Sequence, residues 1–587
     1  MPQTKPPRWP WFALVAIYIA LRLPAFLSYA PTYDEPIYLG AGMHFAKVGD
    51  PQTAAMLYHP PLAYHLSSLL LWPFQVTFGD WDPHGFGSQA GLRVLYDTTT
   101  AGGSALSPET VLGLARLPIL LLGLLGLPLC RALGRRIAGE TCGWLAAAAW
   151  AAYPEAAAQS VQATTDLVAA IAALLLACAA IRHFDWVAEK PQYAKTTHLA
   201  LGAACGLAAL AKHTLLVPIV VVAVASVILR IVRTRRGVAQ PGRPFLRFLA
   251  AAIVAFAVLW AGYLFEFGPV AARTAAETGA GHEHSAAIAR WTPFDAATID
   301  GWMETVPIPA PTYVRSVADA FLDKARARSG STWVGYMDGA WSDRGFLAYF
   351  PYALAVKTPL ALLLLLAAGP LGWWLTRRNA APAADLCFAL FILPFAAAVA
   401  SRLNIGIRHL LPAVPFLMIL GCAALARLGE EHPLPAKALA GLLAAMLAAE
   451  WAVNRLDPLP FANVAAGGPS HLLKRLTDTN LEAGQDLWEV ERWCEEHRVT
   501  SIHVLLHDPQ GLYDRERARH PYLLPRDGMR PAAFVDAIRP QAQTGDVPAA
   551  GLLALGESEM TRLAWVALQP VEPLARVGRT RIYVVGR

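Results

Sequence analysis

Charged residues are scarce in this chain. Only 16% of the 587 residues are charged, whereas 55% are hydrophobic, and the mean hydropathy is +0.38. This composition argues against a water-soluble fold, because several apolar runs reach the roughly 20 residues that a membrane helix requires. No apolar run alternates with period two, which argues against a transmembrane β-barrel.

Cysteine pairs and nucleic-acid-binding patterns are also missing. Six of the seven cysteines lie in or beside apolar runs, where cysteine is usually a small buried hydrophobe. Cys494 is alone in the C-terminal region, which therefore cannot close a disulfide within itself, and no cysteine spacing is typical of a metal site. No basic stretch is interleaved with aromatic residues, so the net charge of +6 does not indicate a nucleic-acid partner.

The apolar runs predict an α-helical polytopic membrane protein with about eleven transmembrane helices. The first run resembles a signal peptide, but it is long for one, and we predict that it is retained. The predicted spans lie near 9–29, 110–130, 141–158, 164–181, 198–211, 213–230, 245–267, 346–375, 383–400, 409–427 and 436–453.

Lys and Arg residues are unequally distributed between the loops. With the N-terminus in the cytoplasm, the inner loops contain most of them, among them Arg135, Arg136, Arg233, Arg235 and Arg378. This bias is the usual signature of cytoplasmic loops. An odd number of spans then places the region after residue 453 outside.

Three polar segments are too long to be simple connectors. Residues 31–109 and 268–345 form two outer loops of a membrane domain at 1–453, and residues 454–587 form a small outer α/β domain. Within 454–587, residues 486–497 have the pattern of an amphipathic helix, and 501–506 and 581–585 have the pattern of strands. The apolar piece 60–78 of the first loop predicts an interfacial helix.

Two carboxylates, Asp34 and Glu35, directly follow the first span. Charged groups so close to hydrocarbon are costly, and they indicate function by default. Asp34 also suits a helix N-cap followed by Pro36, and both interpretations can hold together. On a helix the two carboxylates diverge by roughly 100°, so only one need face a substrate. Asp166 opens the fourth span on the same face, and a carboxylate there can act as a general base.

Several cations break the charge bias on the outer side. Lys212, Arg402 and Arg408 lie in short outer connectors, and Arg22 and Arg116 lie near the outer ends of spans. Ammonium and guanidinium groups form charge-assisted bonds with phosphate oxygens, so the set indicates an anionic ligand. For each residue alone, snorkelling at a helix end is the alternative.

Two histidine motifs are weaker candidates. His59, before Pro60 and Pro61, either binds a metal or phosphate or has a structural role. The sequence His282-Glu283-His284 lacks the i, i+4 spacing of zinc hydrolases. We therefore assign no metal from the sequence.

These motifs together resemble a known family. Tyr33-Asp34-Glu35 and His59-Pro60-Pro61-Leu62 resemble the first outer loop of bacterial GT-C superfamily glycosyltransferases related to protein O-mannosyltransferases and lipid A aminoarabinose transferases. The segment Asp478–Leu487 resembles another family pattern but lacks its usual Trp, and the sequence leaves its role open. Further segments similar in order are 143–147, 154–155, 165–166, 206–212, 349–351, 357–359, 404–412 and 465–469.

The resemblance implies a GT-C fold and an inverting transfer of a sugar. The donor would be a polyprenyl-phosphate sugar, and the acceptor hydroxyl would lie outside the bacterial cytoplasmic membrane, among its lipids. Divalent-metal dependence differs between family members and stays open. By position, Asp34 would be the base with Glu35 as its acidic neighbour; Lys212, Arg408, Arg116 and His59 would bind the donor phosphate; and Asp166, Tyr33 and Arg402 would line the cavity.

Two other classes of protein fit the sequence less well. A transporter or flippase of a lipid-linked substrate would usually show related halves and interrupted helices, which we do not find. A non-catalytic envelope scaffold would not need the acidic and basic residues of this face. The sugar, the acceptor (protein, lipid A, glycan or lipid) and the oligomeric state are left open by the sequence.

Overall fold

The chain is a mainly helical membrane protein with a small strand-containing C-terminal region. The computed structural model describes residues 9–49, 58–78, 88–189, 194–235, 244–270, 285–286, 289–290, 292–328, 335–380, 382–507, 512–525, 552–561 and 571–584. The helices up to the last span are Trp9–Ala20, Leu23–Ser28, Glu35–Val48, Leu62–Ser68, Ser88–Asp97, Pro108–Leu124, Gly126–Ala152, Pro154–Ser160, Thr165–Glu189, Ala194–Ala211, Leu216–Arg235, Pro244–Gly262, Ala296–Thr305, Pro311–Arg328, Tyr349–Lys357, Leu360–Ala380, Ala383–Ser401, Val414–Glu431 and Pro433–Val453.

Within the described residues, eight helices are long and apolar enough to cross a membrane. Each predicted span coincides with one or two helices, which confirms the predicted polytopic helical class. The stretch Pro108–Ala152 contains the predicted span 110–130 and most of the predicted span 141–158. Its helix breaks at Ala138 and Gly139, where the backbone torsions are not helical. The Trp150 indole then donates to the Gly123 carbonyl at 3.0 Å, so the chain has turned back and the two halves run antiparallel.

Close backbone contacts position the helix that follows the acidic pair. A Cβ atom added at Gly91 would lie 1.7 Å from the Pro36 carbonyl oxygen, so only glycine allows this approach. Helix Ser88–Asp97 therefore packs directly on the first turn of helix Glu35–Val48. The predicted interfacial segment forms the short helix Leu62–Ser68, continued by the 3-10 turn Leu69–Leu71.

Short strands and turns complete the segments between the helices. Phe267–Gly268 pairs with Ile308–Pro309, and Gly335–Met337 pairs with Ala340–Ser342; both pairs are antiparallel. The 3-10 turns of the membrane part besides Leu69–Leu71 are His213–Leu215 and Ile407–Leu410.

The C-terminal region contains a four-stranded mixed sheet. Its strand order is Ile502–Leu505, Leu552–Gly556, Thr580–Val584, Ala575–Val577. The first pair is parallel, with Val504 opposite Ala554, and the other pairs are antiparallel. Among the described residues of this region, the helices are Leu472–Arg475, Leu487–Glu496 and Leu512–Arg519, with 3-10 turns Val464–Ala466, Pro469–His471, Asp478–Asn480 and Glu559–Thr561. The helix predicted at 486–497 and the strands predicted at 501–506 and 581–585 are thus present.

One segment, residues 478–486, joins this sheet to the membrane part. The Ala30 and Tyr33 amides donate to the carbonyl oxygens of Gln485 and Ala483, each at 2.9 Å. Directly after Gln485, the Asp486 carboxylate accepts from the Thr580 hydroxyl of the sheet at 3.1 Å. The polypeptide around Asp34 therefore lies directly against this segment. The predicted boundary between domains at residue 453 stays a prediction.

Candidate active site

Asp34 occupies the N-cap position of helix Glu35–Val48, as the sequence predicts, but its side chain does not cap the helix. Its Oδ2 instead accepts a hydrogen bond from Arg408 Nη1 at 2.6 Å. The Asp34 side chain is 26% exposed, more than any of the other ion-paired groups around it. The carboxylate is therefore fixed at one oxygen and still accessible.

Arg408 connects Asp34 to a second, buried ion pair. Its Nε lies 3.8 Å from Asp166 Oδ2, and Lys212 Nζ donates to Asp166 Oδ1 at 2.5 Å. We call Asp34, Asp166, Lys212 and Arg408 the Asp34 cluster. The four residues come from four separate parts of the sequence, and each lies at or beside a helix end: Glu35–Val48, Thr165–Glu189, Ala194–Ala211 and the turn Ile407–Leu410.

Charge alternates along the Asp34 cluster, and this explains how it can be held at the end of the membrane helices. Two carboxylates and two cations compensate each other, which reduces the cost of removing them from water. Burial lowers the pKa of Arg408, but the Asp34 and Asp166 carboxylates raise it by a larger amount, so the net pKa shift is upward. Arg408 is thus a permanent cation.

One donor of Arg408 is still free. Its Nε is buried and has no hydrogen-bond acceptor within the described residues, since the Asp166 oxygen at 3.8 Å is too distant. A buried donor without a partner is costly. An anion arriving beside Asp34 could accept this bond.

His59 lies next to the Asp34 cluster. Its ring stacks on that of Tyr38 with centroids 6.1 Å apart, and the Tyr38 hydroxyl is 3.4 Å from Thr165 Oγ1. Burial lowers the pKa of His59 to about 4, and the Lys212 charge adds to this effect. His59 is therefore a neutral imidazole at physiological pH, able to accept or donate one hydrogen bond beside the cluster.

Glu35 and Arg116 form a separate, buried ion pair. The Arg116 guanidinium donates to both Glu35 oxygens, at 2.8 and 2.6 Å, and to the Tyr29 and Ala30 carbonyl oxygens. Both side chains are buried, with 0% and 1% exposure. Glu35 also accepts from the Thr32 and Ala163 amides. These bonds favour a structural role for the pair and leave Arg116 few donors for a phosphate.

The remaining predicted residues have separate positions. Tyr33 is part-exposed and stacks on His507 with centroids 4.9 Å apart. Arg402 is exposed and ends helix Ala383–Ser401 in the left-handed conformation, outside the ion pairs of the Asp34 cluster. Arg22 is buried and donates to the Tyr18 and Ala151 carbonyl oxygens. The motif at 282–284 lies outside the described residues.

The segment 478–486, for which the sequence suggested no role, contacts the turn that carries Arg408. Asn480 Oδ1 accepts from the Ile407 amide at 3.0 Å, and Thr479 Oγ1 donates to the Ile405 carbonyl at 2.8 Å. The buried Lys357 ammonium donates to the Asn480 carbonyl at 2.5 Å. The clustering of acidic and amide side chains in this short segment was the sequence signal that could have predicted these contacts, because such groups need hydrogen-bond partners once they are buried.

His507 adds a titratable group beside Tyr33. Burial lowers the pKa of His507, but the Glu559 carboxylate, 3.9 Å from Nδ1, and the charges of Asp478 and Glu482 raise it by a larger amount, to about 9. Since this folded-state pKa exceeds the unfolded value of about 6.5, the stabilisation is fully present below that value. It is lost as the pH rises through about 9.

We therefore expect the midpoint temperature of thermal unfolding to decrease as the pH rises from 7 to 10. In His507→Phe, which keeps a ring against Tyr33 but removes the charge, this fall should be smaller. Thermal unfolding across the pH series measures both proteins. Equal pH dependence in the two would show that His507 does not contribute.

The Asp34 cluster is not built like a metal centre, because a cation already faces each of its carboxylates. Within the part of the chain that the structure describes, the one group of three potential metal ligands that converge lies elsewhere, at Glu491, Glu516 and His520.

Comparison with solved structures finds similar chains. ArnT from Cupriavidus metallidurans in the apo state is 14% identical over 98% of this chain and 97% of that chain, with a TM-score of 0.32. The archaeal oligosaccharyltransferase AglB from Archaeoglobus fulgidus, in complex with an inhibitory peptide and a dolichol-phosphate, is 14% identical over 86% of this chain and 59% of that chain, with a TM-score of 0.47.

The S. cerevisiae protein O-mannosyltransferase Pmt1-Pmt2 complex bound to the sugar donor is 16% identical over 44% of this chain and 33% of that chain, with a TM-score of 0.30. No protein-family model and no curated protein matches the chain. Because these TM-scores are all below 0.5, we base the proposed function on the Asp34 cluster itself.

Proposed function

We propose that this protein is a membrane glycosyltransferase that moves a sugar from a polyprenyl-phosphate carrier to an acceptor hydroxyl at the outer face of the bacterial cytoplasmic membrane. The observation that carries the proposal is the part-exposed Asp34 carboxylate held by Arg408, whose Nε has no acceptor within the described residues. A base and an anion-binding cation are thus adjacent at the ends of the membrane helices.

Asp34 is the general base of the proposed reaction. Arg408 engages only Oδ2 in the described contacts, which leaves Oδ1 for the proton of an acceptor hydroxyl. As this proton passes to Asp34, the hydroxyl oxygen attacks the anomeric carbon and the bond from that carbon to the phosphate oxygen breaks. A single displacement of this kind inverts the anomeric centre.

Arg408 and Lys212 compensate the charge of the departing carrier phosphate. Cations that are already positioned stabilise developing negative charge without reorganisation. The Arg408 Nε is available for a phosphate oxygen, and Lys212, held by Asp166 at 2.5 Å, adds a fixed positive charge behind it. Asp166 thereby positions both cations, and neutral His59 lies on the same side as a hydrogen-bonding group.

The lipid chain of the donor would lie among the membrane helices. Within the Asp34 cluster, Asp166 and Lys212 lie at or beside the ends of Thr165–Phe184 and His213–Val232, which are long and apolar enough to span a membrane. A carrier embedded in the outer leaflet would present its phosphate at this level, while the acceptor would approach from the side of Tyr33 and the segment 478–486.

Release of free polyprenyl phosphate from a panel of polyprenyl-phosphate sugars tests the proposal. Purified protein, supplied with envelope extract as the source of acceptor, should release the carrier from one donor and label an acceptor with its sugar. Folded protein that turns over no donor would contradict the proposal. Transfer of labelled carrier across vesicles without bond cleavage would indicate a transporter, and donor binding without turnover would indicate a scaffold.

A further inference from the structure

A second group of convergent side chains lies in the C-terminal region, apart from the Asp34 cluster. Glu491 belongs to helix Leu487–Glu496, Glu516 to helix Leu512–Arg519, and His520 follows the latter helix. One potential ligand atom from each of the three side chains lies within 4.8 Å of the other two. Two helices are thus joined by an imidazole and two carboxylates.

The spacing of these atoms matches that of ligands around a small cation. His520 Nε2 is 3.6 Å from Glu491 Oε2 and 3.8 Å from Glu516 Oε2. Ligand atoms bound tetrahedrally at about 2.1 Å from zinc are separated by about 3.4 Å. The two distances to His520 Nε2 exceed this separation by a few tenths of an ångström, and the ligand atoms of the two carboxylates lie within 4.8 Å of each other.

Glu491 lacks the partners that a buried carboxylate needs. Its side chain is only 6% exposed, and its Oε1 has no hydrogen-bond partner within the described residues. Its other oxygen is the one that faces His520. A buried carboxylate without sufficient donors is costly unless a cation compensates it, so a positively charged ligand beside Oε2 would stabilise Glu491.

The surrounding side chains orient the other two ligands. His520 Nδ1 lies 3.2 Å from the Tyr522 hydroxyl oxygen and 3.4 Å from Glu495 Oε1. With the proton on Nδ1 directed at the Glu495 carboxylate, Nε2 would be unprotonated and would face Glu491 and Glu516. This is the usual arrangement of a metal-bound histidine. Glu516 Oε1 accepts from the Tyr96 hydroxyl and from Trp488 Nε1, which leaves Oε2 toward His520.

One competitor is present. Arg519 Nη1 lies 3.0 Å from Glu516 Oε2, so a bound metal would share this oxygen or displace the guanidinium. The Arg519 side chain is 40% exposed and can move toward solvent, where it would still face Glu109, now 3.9 Å away.

We propose that Glu491, Glu516 and His520 bind a divalent cation of the zinc class. An imidazole with two carboxylates suits zinc, whereas calcium and magnesium prefer oxygen ligands alone. The metal would fasten helix Leu487–Glu496 to helix Leu512–Arg519 and, through the hydrogen bond from Tyr96 to Glu516, to helix Ser88–Asp97 of the first outer loop. This structural site is independent of the proposed transfer reaction.

Titration of the full-length, EDTA-treated protein in detergent with zinc chloride tests the proposal by calorimetry. Wild type should bind one zinc ion at this site, and Glu491→Gln and His520→Asn should each weaken that binding at least about tenfold. The matched control is Glu489→Gln on the same helix, a more exposed residue near Arg492, which should bind zinc as wild type does.

Cobalt provides a second readout that does not depend on affinity alone. Cobalt bound in place of zinc should give the intense visible absorption of a four-coordinate ion, which His520→Asn should lose. Because the His520 side chain is 19% exposed, this variant is the safer one if Glu491→Gln fails to fold. Wild type that binds no zinc, variants that bind it equally well, or displacement of zinc by millimolar magnesium would each overturn the proposal.

Discussion

Replacing Asp34 with asparagine is expected to reduce sugar transfer by about 10²- to 10⁴-fold, while the protein still folds and binds the donor. Asparagine has the same shape, and its oxygen can still accept the hydrogen bond from Arg408, but the amide cannot take up the proton of the acceptor hydroxyl. Release of free polyprenyl phosphate over time measures the effect.

The matched control is Asp343→Asn, which removes one carboxylate from an exposed position of the second outer loop. This variant should transfer sugar at the rate of wild type. Normal turnover by folded Asp34→Asn would remove Asp34 from the role of base, and Asp166 would then be the carboxylate to test. Loss of donor binding in the same variant would instead show that Asp34 acts by holding Arg408.

Replacing Glu35 with alanine is expected to destabilise the protein by about 3–5 kcal/mol. The substitution leaves the Arg116 charge buried without its partner, since both side chains are almost fully buried. The Thr32 and Ala163 amides lose their acceptor as well. Unfolding in detergent, followed by heat or denaturant, measures the loss.

The control for this experiment is Glu140→Gln, which removes the partner of Arg131 in an ion pair whose carboxylate is 57% exposed. Pairs at the surface contribute about 0–1 kcal/mol, so this variant should unfold close to wild type. A Glu35→Ala protein with normal stability but no activity would mean that Glu35 takes part in the chemistry.

The sequence was sufficient for the polytopic helical class, because most of the spans are apolar runs of the required length. The predicted spans 198–211 and 409–427 are not among the eight helices that are long and apolar enough to cross a membrane within the described residues. The N-cap position of Asp34 was also predictable, from Asp34 itself and the Pro36 that follows. What the Asp34 side chain binds was not predictable, because its partner, Arg408, is 374 residues away in the sequence. Ion pairs between distant helix ends depend on how the helices pack.

The same limit explains Arg116. From the sequence, a cation near the outer end of a span suggested a phosphate ligand, as it did for Lys212 and Arg408. The structure places Arg116 against Glu35, 81 residues earlier in the chain, whereas Arg408 keeps one donor without an acceptor within the described residues. The three cations look alike in the sequence, and only their neighbours in the folded structure distinguish them.

The segment 478–486 has a practical consequence for exchanging parts between related proteins. A chimaera joined at residue 453 would bring in a foreign version of the residues that bond to Ala30, Tyr33 and Ile407, and so would alter the backbone on both sides of the Asp34 cluster. A junction placed after Asp486 would keep those bonds and replace mainly the sheet. In a chimaera joined after Asp486, a change of acceptor could be distinguished from damage to the Asp34 cluster.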